Sequence, residues 1–254
     1  MTEIAQPPRA PYVAIESAWS VAPGTANPEY TIPDAVLGHV VEALGLGEPH
    51  KIGIDPMCGN GTNLNFVNEA GGNLHGIELD RRTYEVARLA AAQIMPPLPP
   101  GWLNGQAPEV VHGDCTEVVI NDARNGKQLL ANYIYTSIPF SGVLDGSLGD
   151  DIVQSFDKML HPHGAMSFIV VDSADMAIRD GAVVDPASAT VAYFERSEFC
   201  LLDRIAFWVT NAPAGCDNQF TELMFVRKSE LADWKRFRPT PLSGRLFLHG
   251  IVGV

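Results

Sequence analysis

A turn with two glycines carries the first chemical signal in this chain. An apolar run ends at Asp55, and Gly59 and Gly61 follow it, separated by a single residue. Glycine is needed where a ligand must come close to the backbone, because a side chain at that position would block it. A strand, a glycine turn and a helix start in this order therefore predict a site for a nucleotide-like ligand.

Two more carboxylates follow the next two predicted strands. Glu78 ends one strand about 20 residues beyond the glycines, and Asp114 follows another. The carboxyl ends of parallel strands meet at one edge of an open α/β sheet, which is where such sheets bind ligands. At that edge Glu78 is placed to bind ribose hydroxyls, and Asp114 is placed to accept from an adenine amino group. Together with Asp55, they predict a nucleoside-type cofactor.

A dinucleotide is the competing ligand for the glycine turn. The dinucleotide fingerprint needs a third glycine, but Asn63 and Leu64 follow Gly61 instead. Asp55 also puts a carboxylate beside the turn, where a pyrophosphate would meet an anion. A cationic aminoacyl group suits that position better, so the residues favour S-adenosylmethionine.

The segment 55–62, Asp-Pro-Met-Cys-Gly-Asn-Gly-Thr, resembles motif I of class I methyltransferases. It is closest to the D-P-x-C-G-x-G-T form of amino-directed (N6-adenine or N4-cytosine) DNA and RNA methyltransferases. The resemblance implies a Rossmann-like α/β fold with a mostly parallel seven-stranded sheet and an antiparallel C-terminal strand pair. It also implies S-adenosylmethionine as cofactor, in contact with Tyr30, Thr31, Asp55, Pro56, Cys58, Gly59, Gly61, Thr62, Glu78, Leu79, Asp114 and Cys115.

By this resemblance each part of the cofactor has its own residues. Asp55, Gly59 and Gly61 would cradle the methionine part, Glu78 the ribose and Asp114 the adenine. Tyr30 and Thr31 belong to a looser match, residues 27–33, at the position of a further cofactor-contacting motif.

A second motif begins at Ser137 and continues through Ile138, Pro139 and Phe140. It resembles the [D/N/S]-P-P-[Y/F] motif of amino-methyltransferases. An amino group conjugated to a ring is a poor nucleophile, and two rigidly held acceptors would aim its lone pair at the methyl group. Ser137 and the Ile138 carbonyl would be those acceptors, Pro139 would stiffen the turn, and Phe140 would stack on the ring.

Ile138 departs from that motif, which has proline at this position. An ordinary strand-to-loop turn in another kind of methyltransferase therefore stays an alternative. The closing strands, 201–209 with Trp208 and 221–228, are similar to those of amino DNA methyltransferases.

These motifs need a framework of alternating strands and helices. Periodicity and turn signals predict one methyltransferase domain over residues 29–228, between an extended arm (1–28) and a tail (229–254) that packs on or near it. Strands are predicted at 51–55, 73–78, 109–112, 132–137, 165–171, 201–210 and 220–227, and helices at 35–44, 62–70, 81–94 and 150–160.

The charge distribution of the chain does not decide which class of substrate it binds. A net charge of −13 weighs against a surface that binds nucleic acid over its whole extent. A basic segment is equally compatible with a solvated tail and with a phosphate-binding surface, and its residues are Arg227, Lys228, Lys235, Arg236, Arg238 and Arg245. The hypotheses are an enzyme for nucleobases in DNA or RNA, a small-molecule N-methyltransferase for an amine metabolite, and a non-catalytic partner.

Composition limits the remaining classes. The apolar stretches are too short to cross a bilayer, and the first residues lack a secretory pattern. These features predict a cytoplasmic protein with no membrane partner. The four cysteines have no metal-ligand spacing, so no metal site is predicted.

Overall fold

The computed structural model describes residues 12–15, 32, 34–44, 46–47, 51–93, 108–122, 125–138, 149–171, 178–179, 182–183, 185–210 and 219–237. In chain order the elements are β1 (Tyr12–Ile15), α1 (Asp34–Leu44), β2 (Ile52–Asp55), α2 (Thr62–Glu69), β3 (Asn73–Glu78), α3 (Arg81–Gln93), β4 (Val110–His112), β5 (Ala131–Ser137), α4 (Gly149–Met159), β6 (Leu160–Val171), β7 (Ile178–Arg179), β8 (Ala182–Val183), α5 (Pro186–Glu195), β9 (Phe199–Val209), β10 (Gln219–Arg227), a 3-10 helix (Lys228–Glu230) and α6 (Leu231–Phe237).

Eight of these strands form one sheet in the order β1-β9-β10-β6-β5-β2-β3-β4. The pairs on either side of β2, β3 and β5 are parallel, whereas β10 runs antiparallel to both β6 and β9. The predicted fold class, a mostly parallel α/β sheet with a C-terminal antiparallel pair, is confirmed. The sheet has one strand more than the seven expected, because β1, which lies in the predicted arm, pairs in parallel with β9.

The sheet is covered on both faces, and side chains alternate between two buried clusters. Tyr133 and Tyr135 belong to one cluster with α1 and α2, so we call their side of the sheet the α1 face. Ile134 belongs to the other cluster with α4 and α5, and that side is the α4 face. All four residues of β2 are buried, as expected for a central parallel strand covered on both sides.

Besides β1, strands β7 and β8 were not predicted, and three further features depart from the prediction. Helix α5 was not predicted, although Asp185 caps it by accepting from the Ala187 N–H at 3.1 Å. Strand β6 begins at Leu160 rather than Ala165, because Leu160 already pairs with Ala131 of β5. The third is α6, which lies in the predicted tail.

None of the helices in the described ranges is both long and apolar enough to cross a membrane. The domain boundaries at 28/29 and 228/229 stay predictions.

Candidate cofactor and acceptor site

Asp55 is a buried carboxylate at the carboxyl end of β2, with 1% of its surface exposed. Its Oδ1 accepts from the Met57 N–H at 3.2 Å, and its Oδ2 accepts from the Asn63 amide at 3.1 Å. Burial raises the pKa of Asp55 to about 6, while Thr136, Asn63 and the Met57 amide offset part of that rise. The site therefore holds a carboxylate whose charge is only partly compensated, and a cation beside it would stabilise it.

The two glycines of the turn have different structural roles. Both have left-handed backbone, with φ of 55° at Gly59 and 82° at Gly61. A Cβ at Gly61 would lie 3.2 Å from the Cβ of Ala87, so this glycine lets α3 pack closely against the turn. Among the described residues, a Cβ at Gly59 would meet nothing within 4 Å, so these residues leave space beside the turn at the carboxyl edge. That space is where a ligand would approach the backbone.

Glu78 connects the next strand to the same turn. Its Oε2 accepts from the Gly59 N–H at 2.9 Å, and its Oε1 accepts from the Asp80 N–H at 2.8 Å. The carboxylate is half-buried at the end of β3. It is thus fixed at the turn, with part of its surface still open to a ligand.

The residues after β3 and β4 lie at the outer part of this edge. Leu79 is 66% exposed and follows Glu78 directly. Asp114 is half-buried, and its Oδ1 accepts from both the Thr116 N–H (2.8 Å) and the Thr116 hydroxyl (2.7 Å). Those bonds leave its second carboxylate oxygen available.

The two cysteines predicted here are buried and protonated. Burial raises the pKa of Cys115 to about 12 and that of Cys58 well above its usual range. Cys58 packs against β3, because a Cβ at Gly76 would lie 2.8 Å from its Sγ. Cys115 accepts from Ser155 through its backbone carbonyl. Their side chains therefore pack in the core, as that of Pro56 also does, while Thr62 begins α2.

Strand register places Ser137 at the same edge. Ile54 pairs with Ile134, so Asp55 is level with Tyr135 and Ser137 extends two residues further. Asp55 also pairs with Gly76 of β3, and Glu78 extends two residues further there. Ser137 and Glu78 thus lie at the same height on either side of β2, about 10 Å apart between backbones at two strand spacings.

The three polar side chains also share one face. Ser137 follows Tyr133 and Tyr135 at intervals of two residues, which puts its side chain on the α1 face. Asp55 bonds Asn63 of α2, on the same face. Glu78 is two residues from Gly76, whose missing Cβ would meet Cys58 and α2.

Ile138 stands where the motif that this segment resembles has a proline. Its side chain is 7% exposed and belongs to the α4-face cluster, together with Ile134 of β5 and Ile152 of α4. Apolar packing therefore anchors this residue where a pyrrolidine ring would have restrained it. Pro139, Phe140, Tyr30 and Thr31 lie outside the described residues.

The predicted basic segment is partly committed to the fold. Arg227 Nε donates to Asp157 Oδ1 at 2.7 Å, and its guanidinium also donates to four carbonyls at the end of α4 and the start of β6. Lys228 Nζ donates to the carbonyls of Glu195 and Ser197 after α5. Arg227 and Lys228 thus have structural partners near the ends of α4 and α5, where they satisfy backbone carbonyls. A phosphate-binding role of the segment stays a prediction.

Sequence reasoning missed Asn63, whose side-chain amide donates to Asp55. Asn63 is the second residue of the helix after the glycine turn, a position from which a side chain reaches back to the preceding strand. Within the described part of the chain, no group of three or more His, Cys, Asp or Glu side chains is arranged to hold a metal ion.

Solved structures share this fold across most of the chain. Glycopeptide N-methyltransferase MtfA with sinefungin superposes with a TM-score of 0.58 at 12% identity, over 84% of this chain and 92% of that one. Magnesium protoporphyrin IX methyltransferase from Synechocystis PCC 6803, with SAH bound, has a TM-score of 0.53 at 11% identity, over 77% and 81%. N-methyltransferase NodS from Bradyrhizobium japonicum WM9 has a TM-score of 0.50 at 14% identity, over 76% and 96%.

The chain has the Rossmann-like methyltransferase fold. No protein-family model matches the sequence, and no curated protein matches it. At such low identity the structural similarity establishes the fold, and the chemistry has to be argued from the residues of this chain.

Proposed function

We propose that this chain is an S-adenosylmethionine-dependent N-methyltransferase that acts on an amino nitrogen of a nucleobase in DNA or RNA, or of a similar planar ring. One observation carries the proposal. Asp55, the open backbone at Gly59 and the carboxylate of Glu78 converge at the carboxyl edge of the sheet, and Ser137 lies at the same height one strand beyond β2.

The residues at this edge fit the parts of the cofactor. The partly compensated carboxylate of Asp55 suits the cationic aminoacyl end, which would approach the backbone at Gly59. Glu78 is held by the Gly59 N–H and would accept from ribose hydroxyls. Exposed Leu79 would pack on the adenine, and the free oxygen of Asp114 would accept from its amino group. When bound, the cofactor supplies an electrophilic methyl group.

The acceptor amine would sit against the end of β5. The Ser137 hydroxyl and the Ile138 carbonyl would each accept one of its N–H groups, which favours a pyramidal nitrogen with a directed lone pair. Packing of the Ile138 side chain in the α4-face cluster restrains the backbone that carries this carbonyl. Phe140 would stack on the ring, as the motif resemblance implies.

A small-molecule amine is the second candidate substrate. The net charge of −13 favours it, and so does the use of Arg227 and Lys228 inside the fold, since both reduce the cationic surface available to phosphates. A non-catalytic partner is disfavoured by the intact glycine turn and by the fixed carboxylate of Glu78.

The direct test is methyl transfer from labelled S-adenosylmethionine to a panel of acceptors. The panel contains a mixed-sequence DNA duplex, its separate strands, an RNA of the same sequence, adenosine, cytidine and aromatic amines. We expect label on an amino nitrogen of one of these acceptors. Label on carbon or oxygen alone would contradict the proposal, as would no transfer to any acceptor.

Variants separate cofactor binding from methyl transfer. Glu78→Ala should weaken S-adenosylmethionine binding by about tenfold or more, because it removes charged acceptors. Ser137→Ala should reduce transfer and leave cofactor affinity largely unchanged, and Phe140→Ala should do the same. Glu117→Gln, an exposed carboxylate near the same edge, is the matched control. Equal loss of cofactor binding in the Glu78 and Ser137 variants would refute the assignment of roles.

A further inference from the structure

Two buried polar side chains on the α1 face belong to neither the cofactor residues nor the Ser137 motif. Tyr135 of β5 is fully buried, and Glu222 of β10 is 1% exposed. Ionisable side chains are rarely buried to this extent unless a specific partner or function keeps them there.

Sheet register brings Glu222 level with Ser137. Ile169 of β6 pairs with Ser137 on one side and with Glu222 on the other. The three residues therefore form one row across β5, β6 and β10, with Ser137 and Glu222 about 10 Å apart between backbones. Glu222 lies between Phe220 and Met224 at intervals of two residues, and both of those belong to the α1-face cluster. Its side chain thus points to the same face as Ser137.

Ser167 connects this carboxylate to the next row. Its hydroxyl donates to Glu222 Oε1 at 2.7 Å, and its backbone pairs with Tyr135. Tyr135, Ser167 and Glu222 thus form a buried polar strip on β5, β6 and β10. The strip lies directly beneath and beside the position of Ser137.

The Tyr135 hydroxyl has no hydrogen-bond partner among the described residues. Burial, with the charges of Glu222 and then Asp55, raises the pKa of Tyr135 well above its usual range, so the hydroxyl stays protonated. It is therefore a hydrogen-bond donor near two carboxylates, Glu222 and Asp55, whose charges raise its pKa. A buried hydroxyl without a partner destabilises a fold, and a phenylalanine would fill the same space without that penalty.

We propose that Tyr135 and Glu222 form the floor of the methyl-acceptor pocket and read the hydrogen-bonding edge of the acceptor ring. Glu222 accepts an N–H of the ring or of a substituent on it, and the Tyr135 hydroxyl donates to a ring nitrogen or carbonyl oxygen. The chemistry fits a heteroaromatic amine with neighbouring donor and acceptor atoms, as in an aminopyrimidine or aminopurine. The inference rests on the proposed function, because Tyr135 and Glu222 would contact the same ring whose amino group Ser137 would bind.

The kinetic test compares Tyr135→Phe and Glu222→Gln with Tyr133→Phe. Tyr133 is a buried tyrosine on the same strand and face, so its variant is a matched control. The probe is the panel acceptor that the wild type methylates fastest. We expect kcat/KM for that acceptor to fall about tenfold in Tyr135→Phe and at least as far in Glu222→Gln. S-adenosylmethionine affinity should be unchanged, and Tyr133→Phe should keep wild-type kinetics. Unchanged acceptor kinetics in the first two variants would overturn the inference.

Thermal unfolding without acceptor gives an independent readout. If the partner of the Tyr135 hydroxyl is a ligand, the hydroxyl makes no hydrogen bond in the free protein, and Tyr135→Phe should keep or raise the Tm. A structural role predicts instead a fall of more than roughly 4 °C, which would overturn the inference. A wild type that methylates nothing in the panel counts against the proposed function, and the thermal comparison alone then decides between a ligand-binding floor and an ordinary core residue.

Discussion

The aromatic part of the α4 face and the carboxyl edge of the α1 face bury very different side chains. On the α4 face, aromatic rings pack against each other, with centroids of Phe168 and Phe194 4.6 Å apart and those of Phe194 and Phe225 5.3 Å apart. On the α1 face the carboxyl edge carries carboxylates, and Asp55 is buried with its pKa raised to about 6. The first arrangement gains free energy from burial, whereas the second loses part of it to desolvation.

This contrast indicates a division of labour. Buried groups that are unfavourable for stability persist where the surrounding structure over-determines them, and they concentrate at functional sites. The aromatic face stabilises the sheet. The carboxyl edge of the other face can therefore retain buried carboxylates that are unfavourable for stability but available to a ligand. The comparison predicts that variants of the aromatic face change stability, whereas variants of the edge change binding or its pH dependence.

The largest effect is expected on the aromatic face. Phe194→Ala should lower the free energy of unfolding by about 3–5 kcal/mol, because it leaves a cavity between Phe156, Phe168 and Phe225. Urea denaturation measures the loss, and Phe194→Leu should lose less. Cofactor affinity of the folded protein should not change. A loss below about 1 kcal/mol would show that this face does not carry the stability.

Asp55→Asn should have an effect on stability that depends on pH. The folded-state pKa of Asp55, about 6, exceeds its ordinary 3.8, so its contribution to stability is present below pH 3.8 and is lost as pH rises through 6. The stability of the variant relative to the wild type should therefore rise by about 3 kcal/mol between pH 3.5 and pH 7.5, and the variant should bind S-adenosylmethionine more weakly. Urea denaturation from pH 3.5 to 7.5 measures the difference, and parallel profiles for the two proteins would contradict it.

Arg227→Lys tests whether the basic segment serves the fold. A lysine cannot reproduce the bonds that the guanidinium makes to Asp157 and to several carbonyls, so we expect a loss of about 1–3 kcal/mol. Oligonucleotide binding should stay the same, as measured by anisotropy over a salt series. Weaker oligonucleotide binding with unchanged stability would favour the phosphate-binding interpretation over the structural one.

The smallest effect is expected on the exposed side of α3. Glu85 pairs with Arg81 and Arg88 on the helix surface, each at 3.0 Å. Exposed pairs of this kind contribute little, so Glu85→Gln should leave the Tm and cofactor affinity unchanged. A clear drop in Tm, followed by calorimetry, would mean that surface charge matters more here than the comparison allows.

Local patterns predicted most of the fold and only part of the site. The glycine turn after β2 and the carboxylate that ends β3 lie where periodicity and spacing put them, because both depend on short stretches of chain. Register was not predictable, since the row that joins Ser137 to Glu222 depends on two strand pairings, between residues 32 and 53 positions apart in the sequence. The structural role of Arg227 was not predictable for the same reason, because its partners are 65 to 70 residues away.

Asn63 and Ile138 show a second limit. Asn63 holds Asp55 through a side chain that no motif specifies, and Ile138 replaces a motif proline by packing into a core that only the folded chain creates. Propensity at a single position cannot encode either contact.

A crystal structure with S-adenosylhomocysteine bound tests the central claim most directly. The account predicts ligand density along the open side of Gly59, with ribose oxygens within hydrogen-bonding distance of Glu78 and the sulfur facing the end of β5 at Ser137. Density on the amino-end side of the sheet, or a sulfur that faces away from Ser137, would contradict it.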